Sequence, residues 1–142
     1  MKIYADPSFI VSLYSLDANS TMAAQTMQAS VADRFVTTFG ELEVVNAMSL
    51  RIFRKEISPA QAQSSLIAFE RDLREGIFQL RPLSDSVLER ARALSRQTTA
   101  KLGTRTADLL HVAAALGLGV DYLYTFDLHQ RKLAQSAHLR VN

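Results

Sequence analysis

The run Gly103-Thr-Arg-Thr-Ala-Asp108, continued by Leu109-Leu-His-Val-Ala-Ala-Ala-Leu116, constrains this chain more than any other stretch. A Gly-Thr break opens a helix, Asp108 falls in its first turns, and the residues behind it are almost wholly apolar. Such a helix has nearly every face to hide and is mostly buried. An ionised Asp at its start is costly unless a cation or a set of donors meets it. One turn and an apolar strand later, Tyr124-Thr-Phe-Asp127 repeats the pattern of an acid beside apolar core. Two acids so placed point to a metal site whose other ligands must come from elsewhere in the chain.

The 142 residues suit one domain with a real core, and 48% apolar with 21% charged residues is ordinary for a globular protein. No apolar run approaches the length of a membrane span, so no membrane partner is expected. Met1-Lys-Ile-Tyr-Ala-Asp6 reaches an acid too early for a signal peptide. The absence of cysteine excludes disulfides, a thiolate nucleophile and a Cys-based zinc site, and makes a cytoplasmic location the simplest expectation. A net charge of +2 permits a polyanionic partner without demanding one.

Lys2 to Asp6 reads as a short buried strand ending in an acid, and Pro7 opens a helix to about Ser15. A helix over Met22 to Ala32 and a strand over Arg34 to Thr38 follow. Thr38-Phe-Gly-Glu41 matches a capping box for a helix to about Lys55. Ser58-Pro59 starts a helix that ends at Gly76, and Phe78 to Arg81 is a short edge-like strand. Ser84 or Asp85 caps a helix from Val87 to about Leu102. After the Asp108 helix come a strand over Asp121 to Thr125, a helix over Leu128 to Ser136 and a strand over Leu139 to Val141. Strands separated by helices predict one three-layer α/β/α domain, residues 1–142, with a mainly parallel sheet.

In open α/β sheets, ligand sites lie beyond the carboxyl ends of the strands. Asp6 and Asp127 follow strands, and Asp108 begins a helix, so all three are expected at one edge. The helix after Thr38 offers Glu41 and Glu43, two positions apart and on roughly opposite faces. Glu41 has a capping role available; Glu43 shares a stripe with Ala47, Leu50 and Arg54. Glu43 is the preferred fourth ligand and Glu41 the alternative. Each acid also has a plain structural reading: Asp6 and Asp127 as helix caps, Asp108 as the partner of Arg105. Four clustered carboxylates repel by several kcal/mol unless protonated or neutralised. Oxygen donors without cysteine suit Mg²⁺ or Mn²⁺. Ser8 and Thr125 are candidates to support a carboxylate or a bound water, and His111, at i+3 from Asp108, reads first as a buried, hydrogen-bonded histidine.

Asp6-x-Ser8, Glu43-x-x-Asn46-Ala47, the Gly103-to-Ala115 segment, and Thr125-Phe-Asp127 with Gln130 and Leu133-Ala134 together resemble a PIN domain, and most of all the VapC-like toxins of toxin–antitoxin pairs. The resemblance spans the chain. It implies a metal-dependent endoribonuclease, often a homodimer, inhibited by a cognate VapB-like antitoxin, with Asp6, Glu43, Asp108 and Asp127 as catalytic metal ligands. Two departures stand out: Pro7 replaces a common Thr or Ser, and Ala137-His138 a common Gly.

Arg105, one turn from Asp108, is the best candidate contact to an RNA phosphate. Arg51, Arg54 and Lys55 form a basic end on the Glu43 helix, with Arg54 roughly 16 Å along it. Arg131 and Lys132 follow Asp127. The Met- and Ala-rich segment from Met22 to Ala32 could be core, or a groove for an antitoxin or a second copy. A phosphotransfer receiver would need adjacent acids after the first strand, and a haloacid-dehalogenase-like phosphatase would need Asp-x-Asp; neither pattern is present. The remaining rival is a non-catalytic PIN-type scaffold that binds RNA or protein.

Overall fold

The computed structural model describes residues 1–142. In chain order it forms β1 (Lys2–Ala5), α1 (Pro7–Tyr14), α2 (Ser20–Gln28), β2 (Asp33–Thr37), α3 (Thr38–Phe53) and α4 (Pro59–Arg74). Then follow β3 (Gln79–Arg81), α5 (Asp85–Leu102), α6 (Thr106–Leu118), β4 (Tyr122–Tyr124), α7 (Leu128–Ser136) and β5 (Arg140–Val141). The sheet is parallel throughout, in the order β3-β2-β1-β4-β5.

Alternation along the strands builds the two faces. Tyr4, Phe35 and Leu123 point into a core closed by α5, α6 and α7, where Val112, Ala113, Ala115 and Leu133 are buried. Ile3, Ala5, Val36 and Tyr124 point the other way, into a core closed by α1 to α4 through Phe9, Ile10, Val44, Met48 and Phe69. Both faces are covered, as an all-parallel sheet requires. The α6 run Val112 to Ala115 is buried against the first of these cores because its small side chains allow close approach.

The chain builds outward from β1 through β2 to β3, then crosses back to place β4 on the other side of β1. The carboxyl ends of β1 and β4 therefore flank the point where the winding reverses, the usual ligand crevice of such sheets. Asp6 and Asp127 follow these two strands, and the Asp6 N–H donates to the Tyr124 carbonyl at 3.1 Å.

Two local expectations are corrected. Thr37, not Thr38, caps α3: its Oγ1 accepts from the Gly40 N–H at 3.0 Å. The third helical residue is thus Gly40, so the proposed box with Glu41 does not form. A true capping box occurs instead at Ser58 and Gln61. The second helix is also shorter than expected, ending at Gln28; Ala23 is buried, Met22 is exposed and Met27 packs at the core edge. Gly103 ends α5 at φ 62°, a left-handed conformation that costs glycine nothing. His138 takes φ 60°, the conformation a glycine would favour in that last turn.

Candidate active site

Asp6, Glu43, Asp108 and Asp127 line one cavity of about 260 Å³, together with Ser8, Arg105, His111 and Gln130. Glu41 is not among its lining residues. Asp6 is 2% exposed and Asp108 4%, so both carboxylates are held out of bulk water.

The plain structural roles are all real. Asp6 caps α1, with Oδ1 accepting from the Phe9 N–H at 3.0 Å. Asp127 caps α7, with Oδ1 accepting from the Gln130 N–H at 3.0 Å. Arg105 donates to Asp108 through Nε at 3.0 Å and Nη2 at 3.3 Å. Capping and pocket lining are therefore compatible, because a carboxylate has two oxygens and a cap uses one of them.

The second oxygens have partners of their own. Asp6 Oδ2 accepts from Thr125 Oγ1 at 2.8 Å, while Ser8 Oγ donates to Oδ1 at 2.7 Å. Both hydroxyls are otherwise employed: Thr125 Oγ1 accepts from the Asp127 N–H and Ser8 Oγ from the Phe126 N–H. Thr125 is fully buried, so its reach is to Asp6 and not to a substrate. These two hydroxyls serve Asp6 from either side, and the hydroxyl absent at Pro7 leaves no gap. Asp127 Oδ2 accepts from Arg105 Nη2 at 2.8 Å, so one guanidinium bridges Asp108 and Asp127. Glu43 accepts from His111 Nε2.

Burial pushes the Asp6 carboxyl upward, with the Ser8, Phe9 and Thr125 hydrogen bonds opposing it. Burial would also raise Asp127, but the Gln130 N–H and the Arg105 guanidinium bring it below its ordinary value. Arg105 is driven up by its bonds to Asp108 and then Asp127. Four acids share one permanent cation, and that cation is on a side chain 60% exposed. The oxygen donor set fits a hard divalent ion. With Arg105 between Asp108 and Asp127, no three acids or histidines stand together as ligands of one ion. An ion held by Asp108 and Asp127 together would take the place of the guanidinium.

Gln130 and His111 are the residues whose place at the cavity sequence reasoning left undeveloped. Gln130 is 2% exposed, and its Nε2 has no hydrogen-bond partner although it lines the pocket. Its only signal was its spacing three residues after Asp127. His111 does both things considered for it, being buried and hydrogen-bonded while reaching the pocket through Nε2.

A second, more open groove of about 420 Å³ shares Pro7, Ser8, Glu43 and Asp127 with the cavity and runs past Ala47 to Arg51 and Arg54. Arg51 is committed to Asp17 at 2.8 Å, whereas Arg54 is exposed and in no ion pair. Arg131 donates to the Asn142 and Thr125 carbonyls and so ties the C-terminus to β4. It is a structural residue rather than a phosphate contact.

No helix is long and apolar enough to cross a membrane. No curated protein matches the sequence. Among solved structures, the chain is similar to the Mycobacterium tuberculosis VapC20, described as a Sarcin-Ricin loop cleaving toxin. The identity is 16% over 92% of this chain and 93% of that one, with TM-score 0.70. VapBC2 from Rickettsia felis, solved with a DNA fragment from its promoter, gives 17% identity over 100% and 98% of the two chains, with TM-score 0.70. FitAcB from Neisseria gonorrhoeae gives 15% identity over 98% and 95%, with TM-score 0.69. These likenesses concern the fold. The PIN domain family matches residues 3–136, nearly the whole chain, and the protein belongs to that family.

Proposed function

We propose that this protein is a metal-dependent endoribonuclease of the VapC type, a toxin that hydrolyses RNA phosphodiester bonds and is neutralised by a cognate antitoxin. The observation that carries the reading is the convergence of Asp6, Glu43, Asp108 and Asp127, from four separate elements, on one cavity. Such concentration of buried and half-buried carboxylates is unfavourable unless positive charge compensates it. Mg²⁺ or Mn²⁺ would be held among these acids once Arg105 gives way between Asp108 and Asp127, and would supply a polarised water and neutralise charge on the phosphate.

The chain's own residues have separable tasks. Ser8 and Thr125 fix the Asp6 carboxylate. Arg105, exposed at the mouth, is placed to meet a phosphate oxygen as well as its two acids. Arg54, at the far end of the adjoining groove, offers a second phosphate contact to a strand lying along it. The antitoxin partner is supported by likeness to toxin–antitoxin complexes, among them one from Klebsiella pneumoniae with TM-score 0.64. The exposed Leu42, Val45 and Phe53 of α3 suit a homodimer or antitoxin contact. Freedom from cysteine suits a reducing cytoplasm.

One observation favours a second reading, the non-catalytic scaffold: Arg105 already satisfies Asp108 and Asp127 without an ion. Cleavage of RNA by the purified chain separates the two. Activity should require Mg²⁺ or Mn²⁺, stop on chelation and fall at least a hundredfold in Asp108→Asn, about 2.7 kcal/mol of lost transition-state stabilisation or more. Cleavage that persists in chelator, or in Asp108→Asn, sinks the mechanism.

A further inference from the structure

Behind Glu43 lies a buried chain of hydrogen bonds that joins four elements. The Gly40 N–H donates to Thr37 Oγ1 at 3.0 Å, and Thr37 Oγ1 lies 3.0 Å from the Tyr4 hydroxyl. The Tyr4 hydroxyl lies 2.8 Å from His111 Nδ1, and His111 Nε2 bonds Glu43 Oε1. Thr37, Tyr4 and His111 are all buried. Only one ordering gives every hydrogen an acceptor with a neutral ring. Thr37 donates to Tyr4, Tyr4 donates to Nδ1, and Nε2–H donates to Glu43.

The imidazole is also held in place by shape. It packs against Phe39, with ring centroids 5.3 Å apart, and against Tyr4 at 5.8 Å. Gly40 lies beside it: a Cβ there would press on Val36 Cγ2 at 3.1 Å and only touch His111 Cε1 at 3.7 Å. A histidine serving only the core would need partners that are themselves buried. Nε2 instead reaches Glu43, whose side chain is 32% exposed and could be solvated without it. The bond therefore satisfies a buried N–H and at the same time fixes one oxygen of a glutamate that solvent alone would leave free to turn.

We propose that His111 is a positioning residue for Glu43: Tyr4 and Thr37 hold the imidazole with its Nε2–H toward the glutamate, and that N–H fixes the carboxylate at the acid pocket. One Glu43 oxygen is thereby committed and the other is left for the pocket. That this orientation serves an ion rests on the functional reading above; the relay itself does not.

Two measurements test it. In the metal-free protein, imidazole ¹⁵N shifts should show His111 protonated on Nε2 and bare on Nδ1, and Tyr4→Phe should move the ring toward a mixture of tautomers. In Mn²⁺ titrations by calorimetry, His111→Leu should weaken binding roughly 10–100-fold, the usual effect of losing an outer-shell partner. His111→Gln, whose amide can still donate to Glu43, should recover most of the loss. A ring protonated on Nδ1 in the wild type, or wild-type Mn²⁺ affinity in a folded His111→Leu, overturns the proposal. A wild type that binds no Mn²⁺ yet shows the expected tautomer and its response to Tyr4→Phe supports the relay and overturns the ion reading instead. Should His111→Leu fail to fold, the ¹⁵N shifts of wild type and Tyr4→Phe still decide.

Discussion

Replacing Arg105 with Ala should have opposite effects on the metal-free protein and on its affinity for a divalent ion. The guanidinium makes three bonds, at 3.0 and 3.3 Å to Asp108 and 2.8 Å to Asp127. Asp108 is buried, so removing its partner leaves a carboxylate without compensation; Arg105 itself is 60% exposed, so solvent screens much of the gain. The net is about 1–2 kcal/mol, between an exposed pair and a buried charge-assisted bond. For a domain of this size the melting temperature of metal-free Arg105→Ala should fall by roughly 3–8 °C. If Asp108 and Asp127 are ligands, an ion must first displace the guanidinium, and removing it lowers that cost by the same amount. Mn²⁺ should then bind about 5–30-fold more tightly to Arg105→Ala than to the wild type, since 1.4 kcal/mol is tenfold. Calorimetric titration with Mn²⁺ beside thermal melts with and without the ion measures both effects. RNA affinity should move the other way if Arg105 makes the phosphate contact proposed for it. The competition argument is wrong if Arg105→Ala is destabilised as expected but binds Mn²⁺ no more tightly than the wild type.

Glu43→Gln should reduce Mn²⁺-dependent cleavage at least tenfold while Glu41→Gln stays within about twofold, each compared by kcat/KM, since Glu43 lines the cavity and Glu41 does not. The reverse pattern would make Glu41 the functional acid. In the adjoining groove, Asp17 accepts from Arg51 Nη2, Ser12 Oγ and the Asn19 N–H, each at 2.8 Å. Burial alone would raise its carboxyl, but the Arg51 bond and then those of Asn19 and Ser12 bring it below its ordinary value. A depressed folded-state value stabilises above the unfolded value of about 4 and loses that stabilisation as pH falls through the folded one. Asp17→Asn should cost about 1–3 kcal/mol at neutral pH, and urea titrations should show the difference narrowing as the pH falls below about 4.

What the sequence made legible was whatever depends on neighbours in the chain. The α7 boundaries, Leu128 to Ser136, coincide with those expected, because Asp127 caps locally and the apolar positions repeat with helical spacing. The end of α5 at Gly103 was visible for the same reason, although its left-handed conformation was not foreseen. Thr37 and Thr38 could not be told apart, since either hydroxyl can cap and the choice depends on where β2 stops pairing. Thr37 is the last residue matched to β3, opposite Arg81, and its hydroxyl lies beside Tyr4. That one-residue shift takes the capping role from Glu41. The role of His111 was out of reach altogether: its two partners lie 107 and 68 positions away in the chain, and only packing of α6 against β1 and α3 joins them.

The plain roles of the acids and their convergence looked like competing explanations in the sequence, and the structure makes them one. A carboxylate that caps a helix has its backbone position, its rotamer and one oxygen fixed by a local bond. Asp6 and Asp127 are fixed in this way at the ends of β1 and β4, and neither depends on an occupant of the pocket for its orientation. Asp108 gets the same service from Arg105, and Glu43 from His111. Folding therefore orders all four side chains before anything binds, with Arg105 keeping Asp108 and Asp127 from standing together as one ligand set. What folding does not remove is their excess charge, because the four share only one guanidinium and Asp6 is held away from solvent. Tight placement without full neutralisation is the physical distinction between this pocket and a set of ordinary caps. It is also why exchanging Arg105 for an uncharged residue should expose the difference more clearly than removing any one acid.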